Sequence, residues 1–173
     1  HNPNEIWLTT LKALKKVIKK ASLLRGKILS IGITNQRETT ILWNKKTGKP
    51  VYNAIVWQDR RTQDYCEELK KKNYEKIFRK KTGLFIDPYF SATKIKWILE
   101  NVKNVKKLLK TNNLLFGTVD TFLIWKLTNG QHHLTEATNA CRTMLFNINN
   151  NKWDKEILKK LKISENILPK VKN

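Results

Sequence analysis

Ile28-Leu29-Ser30-Ile31-Gly32-Ile33-Thr34-Asn35-Gln36-Arg37-Glu38-Thr39-Thr40 is the stretch on which the reading of this chain turns. The run from Ile28 to Ile33 is apolar and too short for a helix, and it predicts a buried strand over 28–34. Four polar residues follow, two of them oppositely charged, and then a second β-prone run from Thr39 to Trp43. Arg37 and Glu38 are neighbours, so on an extended backbone they point to opposite faces. A charged pair set between two apolar strands costs free energy unless each member finds a partner. Two kinds of partner qualify: a substrate that both accepts and donates hydrogen bonds, or neighbouring backbone and another charge of the protein itself.

Working outward, residues Glu5 to Arg25 place Ile6, Leu8, Leu11, Leu14, Val17, Ile18 and Ala21 mostly on one helical face, with lysines on the other. Asn2 or Asn4 suits the cap of this amphipathic helix and Gly26 its end. Asn44-Lys45-Lys46-Thr47-Gly48-Lys49-Pro50 is turn chemistry, so 39–57 reads as a hairpin with Val51–Trp57 as its return. Beyond Asp59 the period changes. Helices are expected over 61–72 and 74–81, the second ended by Gly83, then over 91–101 with Ser91 as cap, and over 103–110. Leu114–Asp120 reads as strand then turn, 121–127 as a helix started by Thr118 or Asp120, Asn129-Gly130 as a turn and 154–161 as the last clear helix. Strands mixed with packed helices indicate an α/β layered domain.

The chain has 173 residues, 40% of them hydrophobic, enough for one domain with a sizeable core. No apolar run approaches the roughly 18–20 residues that span a bilayer, so membrane insertion is not expected. His1-Asn2-Pro3-Asn4-Glu5 has neither an initiator Met nor a signal-peptide pattern, and the last residues stop in a loop; both features predict a piece of a longer chain. Cys66 and Cys141 stand far apart and read as thiols of a reducing, cytoplasmic compartment. His132-His133 beside Gly130 reads as exposed polar surface, and no metal site is expected.

The net charge of +21 raises a polyanion as partner. The excess is mostly lysine, scattered in pairs such as Lys15-Lys16, Lys80-Lys81 and Lys159-Lys160, with abundant asparagine. Both residue types have A/T-rich codons, so compositional drift on solvated helix faces can produce such an excess without selection for binding. Bases are read by bidentate arginines and stacking aromatics, and arginine is scarce here. A lysine-rich, non-catalytic module binding nucleic acid or other polyanions therefore stands as the alternative reading. Steep loss of affinity with salt would mark it.

Ile31–Thr40 and Thr47–Thr62 together resemble the FGGY carbohydrate kinases, and the glycerol-phosphorylating members more closely than those acting on xylulose or gluconate. The likeness continues through Thr82-Gly83-Leu84, Asp87-Pro88-Tyr89-Phe90-Ser91, Phe116–Thr121, Trp125-Lys126-Leu127-Thr128 and Thr138-Asn139-Ala140-Cys141-Arg142-Thr143-Met144-Leu145, in the family's order and spacing. It implies an actin-like, ribonuclease-H-like α/β fold and transfer of the ATP γ-phosphoryl group to a terminal hydroxyl of glycerol. It also implies roles: Arg37 and Glu38 hydrogen-bond the polyol, Trp57 lies against its carbons, and Tyr89 adds a hydroxyl contact. The residue chemistry agrees, because a planar guanidinium donates to two oxygens and a carboxylate accepts from the same hydroxyls. Without the resemblance, Trp57 reads as core and Tyr89 as a loop anchor. Asn53, Asp120, Thr121, Asn139 and Arg142 read as scaffold, turn or cap formers.

By the same resemblance, residues 1–173 are a partial N-terminal kinase domain. The phosphate-binding hairpin is expected upstream, and the catalytic aspartate and second domain, with the ATP and Mg²⁺ sites, downstream. No catalytic, cofactor or metal residue is then expected within this chain, and the isolated piece is expected to be inactive. Its partners would be glycerol and the remainder of the kinase. An uncovered sheet edge would favour poor solubility or pairing with another chain, a homo-oligomer included.

Overall fold

The computed structural model describes residues 1–172. Helix α1, Pro3–Leu23, is capped by the Asn2 side chain, which accepts from the Asn4 amide at 2.9 Å, with Pro3 in the first turn where its missing N–H costs nothing. After an irregular segment comes β1, Ile41–Asn44. The turn beyond it is held by the Asn44 side chain, which accepts from the amides of Lys46 and Thr47. The chain then returns alongside β1 through bridges Trp43–Pro50 and Thr40–Ile55, which is the expected hairpin.

Four helices follow: α2, Gln63–Lys71; α3, Glu75–Thr82; α4, Ser91–Asn101; and α5, Val105–Lys110. Gly83 ends α3 at φ 73°, a left-handed backbone that only glycine adopts without strain. Strand β2, Leu114–Gly117, pairs antiparallel with β1, Leu42 facing Phe116. It leads into α6, Val119–Leu127. Strand β3, Leu134–Glu136, runs parallel to the terminal β6, Lys170–Lys172. Between them lie the one-turn helix α7, Ala137–Ala140, the short antiparallel pair β4, Phe146–Asn147, and β5, Lys152–Trp153, and helix α8, Lys155–Leu161. Asp154 caps α8, accepting from the amides of Glu156 and Ile157.

Alternation along β1 and β2 divides the core in two. Leu42, Leu114 and Phe116 face a large cluster with Phe78, Ile86, Ile95, Ile98, Ile157 and Leu161. Ile41, Trp43 and Leu115 face a smaller one with Phe122 and Trp125, against which Trp7 of α1 packs. Both faces of this pair are therefore covered by helices, which is why the two strands read as unbroken apolar runs. Gly117 sits where α6 turns back: a β-carbon there would lie 2.5 Å from the Thr121 β-carbon and 3.0 Å from the Trp43 ring.

Several expectations fail, the terminal loop among them, since Lys170–Lys172 form strand β6 beside β3. Residues 28–34 form no strand, and Ile28, Leu29 and Ile31 are exposed, Leu29 to 91%. A strand needs a hydrogen-bonding neighbour, and among the described residues no backbone bond joins 27–36 to another segment. Ser91 is not the cap of α4 but its first residue, after Phe90, and its hydroxyl instead donates to the Glu38 carbonyl at 3.0 Å. His133 is not exposed surface: its Nε2 lies 2.7 Å from the Phe116 carbonyl and its ring meets Trp43 edge-on at 5.5 Å. Burial pushes its pKa down to about 4, so the ring is neutral at pH 7 and donates from Nε2.

Candidate functional site

The turn between the irregular segment and β1 sets the first two candidate residues apart. Glu38 has φ 64°, and the Thr39 amide donates back to the Arg37 carbonyl at 2.8 Å, closing a strained three-residue γ-turn. The expected extended backbone is thus replaced by a kink. The Ser91 and Thr40 hydroxyls both donate to the Glu38 carbonyl, at 3.0 and 3.2 Å, and fix that kink against α4. Strain of this kind persists where the surroundings over-determine it. Its result is that Glu38 points inward while Arg37 stays at the surface.

The Glu38 side chain is 4% exposed, and its Oε1 accepts from Arg142 Nε at 2.6 Å. The charged partner demanded by a buried carboxylate is thus supplied by the protein, from a residue 104 positions away. Arg37 has no ion pair or side-chain hydrogen bond among the described residues. One member of the pair is satisfied internally, and the other presents an open guanidinium.

The aromatic residues complete the same corner. Trp57 and Tyr89 are both half-buried, with ring centroids 5.3 Å apart at 47°. The Arg142 guanidinium lies 5.0 Å from the Phe90 ring centre and 5.7 Å from that of Tyr89, within cation–π range. Glu38, Arg142, Tyr89 and Trp57 therefore form one connected group, with Arg37 beside it through the backbone.

Two residues that sequence reasoning did not assign hold this group. Lys94 on α4 is fully buried, and its Nζ donates to the carbonyls of Pro88, Tyr89 and Phe90 at 2.5, 2.7 and 3.3 Å, fixing the loop that presents Tyr89. Burial lowers its pKa to about 8, against the pull of Asp59, Cys66, Glu38 and Asp87. Arg142, read as scaffold, belongs to the group itself. It follows α7 in a tight turn, where Glu136 caps the helix by accepting from the amides of Thr138 and Asn139, both at 2.7 Å. Lys94 could have been suspected as a charged residue on the apolar face of a helix. No local signal marks Arg142, whose meaning depends on a contact remote in sequence.

The other scaffold residues behave as structural parts. Asp120 is buried and accepts from the hydroxyls of Thr118 and Thr135, and from Asn35 at 3.5 Å, tying the irregular segment to α6 and β3. Thr121 is buried beneath Gly117, and the Asn139 amide nitrogen donates to Glu136. Asn53 is exposed. Cys66 and Cys141 are free thiols, the first buried, and burial pushes it up to about 11. Among the described residues no three His, Cys, Asp or Glu side chains converge to hold a metal ion, and no helix is long and apolar enough to cross a membrane.

The profile of the N-terminal domain of the FGGY family of carbohydrate kinases matches residues 1–173. The chain belongs to that family. Its α/β, actin-like and ribonuclease-H-like architecture is the family's. A curated FGGY relative, the glycerol kinase of Geobacillus sp. (strain WCH70), is 55% identical over 99% of this chain and 35% of its own length. The glycerol kinase of Saccharolobus islandicus is 59% identical, again over 99% of this chain and 34% of its own length. Among solved FGGY structures, Plasmodium falciparum glycerol kinase with ADP superposes with a TM-score of 0.93 at 39% identity, covering 99% of this chain and 34% of that one. The chain thus spans about a third of the length of the curated relatives it matches.

Proposed function

We propose that this chain supplies one wall of the glycerol site of an ATP-dependent glycerol kinase, which phosphorylates glycerol to glycerol 3-phosphate. The observation that carries the reading is the division of labour at 37–38: a buried carboxylate with one oxygen held by Arg142, beside an open guanidinium and a Trp57–Tyr89 wall. A small polyol has little apolar area to bury, so its affinity depends on fixed hydrogen bonds. Arg37 donates to adjacent hydroxyls, Glu38 accepts from them, the Trp57 face covers the C–H side, and Tyr89 adds its phenol. Phosphoryl transfer works largely by positioning and charge stabilisation. These residues perform the positioning of the acceptor.

ATP, Mg²⁺ and the base that takes the hydroxyl proton belong, in this reading, to the remainder of the kinase, as does the phosphate-binding hairpin. The free cysteines fit a cytoplasmic protein. The polyanion-binding alternative draws no support from the relatives named above.

The test is a coupled assay of ADP release with glycerol as acceptor. The full-length protein containing this chain is expected to turn over glycerol, and the isolated 173 residues to stay at the no-enzyme blank. In the full-length protein Arg37→Ala should raise the glycerol KM about 5- to 150-fold, the equivalent of about 1–3 kcal/mol for a substrate hydroxyl left without its charged donor. Glycerol turnover unaffected by Arg37→Ala, or absent from the full-length protein, would refute the assignment.

A further inference from the structure

We infer that Arg142 is the positioning residue of the polyol site, holding the Glu38 carboxylate in the one orientation that leaves an oxygen free to accept a substrate hydroxyl. This rests on the glycerol-site reading above, but adds to it a residue that neither the motif at 37–38 nor the aromatic wall includes.

Four observations carry it. The Glu38 carboxylate has two oxygens, and Arg142 takes Oε1 alone, through Nε at 2.6 Å. Among the described residues nothing bonds Oε2, so one acceptor of the carboxylate is left over. The bond is made by Nε rather than by the two terminal nitrogens, which have no hydrogen-bond acceptor among the described residues. The single Nε contact therefore holds one carboxylate oxygen without bridging to the other. The guanidinium is also fixed from the side, over the rings of Phe90 and Tyr89, so it links the carboxylate to the aromatic wall. Finally, its own backbone is set by a short, heavily bonded turn: Glu136 caps α7, and the Thr143 hydroxyl donates to the Ala140 carbonyl at 2.6 Å.

A free-swinging glutamate at a kinked turn would lose rotamer freedom each time it bound a polyol. Arg142 removes that cost before the substrate arrives, which is preorganisation in the physical sense. A planar guanidinium is needed to grip one oxygen and leave the other open; a lysine in its place is a point charge that would sit between the two.

The test is a double-mutant cycle in the full-length protein. Arg142→Gln should raise the glycerol KM about 10- to 100-fold while kcat changes less than about 3-fold, since the lost interaction serves substrate and transition state alike. Arg142→Lys should recover only part of that loss. In a Glu38→Gln background, removing Arg142 should change KM by less than about 2-fold, because the residue acts through the carboxylate. Multiplicative effects in the cycle would overturn the inference, as would an Arg142→Gln enzyme with unchanged KM. If the variants do not fold, the unmutated protein decides: the Arg142 Nε–H resonance should be slow to exchange and should shift on adding glycerol, and a fast-exchanging or unmoved signal would overturn it. The glycerol-site reading fails separately, if the unmutated full-length protein does not phosphorylate glycerol.

Discussion

Helices α1 and α4 are both amphipathic in sequence, yet they meet different fates. Seven of the eleven residues of α4 are buried, including Lys94. Of the twenty-one residues of α1 only Pro3 is buried, and Leu8, Val17 and Ile18 on its patterned face stand exposed. The segment after α1 repeats the contrast, with Leu29 and Ile31 in solvent while the equally apolar β1 is buried on both faces. An apolar periodicity states which face gains from burial; it does not create the surface that covers it.

The contrast can be broken most directly by truncation on each side. Ile95→Ala on α4 removes a fully buried side chain and should cost about 2–5 kcal/mol in chemical denaturation. Val17→Ala on α1 should stay within about 0.5 kcal/mol. Similar losses from the two would mean that α1 is covered after all.

A second test uses acid on the small cluster. His133 is held at about 4, below the ordinary 6.5 of a free histidine, so the folded state binds fewer protons between those values. Its contribution is fully present above pH 6.5 and is lost as pH falls through 4, about 3 kcal/mol in all. His133→Gln keeps a donor for the Phe116 carbonyl without titrating, and should flatten that part of the stability-versus-pH curve. A slope unchanged by the substitution would place the titrating group elsewhere.

Lys94 sharpens the comparison at α4. Lys94→Met leaves three carbonyls without their donor and should cost about 1–3 kcal/mol. Because burial holds this ammonium at about 8, below the ordinary lysine 10.5, the folded state sheds its proton first. Stability should therefore rise as pH goes from 8 to 10.5, and the rise should vanish in Lys94→Met. The smallest effect is expected at the exposed segment. The pair Leu29→Asp and Ile31→Asp should leave stability within about 0.5 kcal/mol but reduce self-association in sedimentation, since it interrupts an exposed apolar patch.

Much of the fold was legible. The amphipathic period and the Asn2 cap marked α1, turn chemistry at 44–50 marked the hairpin, Gly83 marked the end of α3, and the apolar runs 41–43 and 114–116 marked buried strands. Each signal is local, because caps, turns and periods act within a few residues. The strand expected at 28–34 failed because pairing is not local. His133 failed for the same reason, its partners Phe116 and Trp43 lying 17 residues and more away.

By itself, the sequence determined where the chain turns, which faces are apolar, and that Arg37 and Glu38 could not both stand unpartnered between apolar runs. It left open whether a ligand or the protein would satisfy them. The tertiary structure decided that, and divided the pair: Arg142 and the Ser91 hydroxyl hold Glu38 inward, while Arg37 keeps its charge at the surface. A buried charge must be neutralised by whatever the fold brings within about 3 Å, and no rule of sequence spacing says which residue that will be.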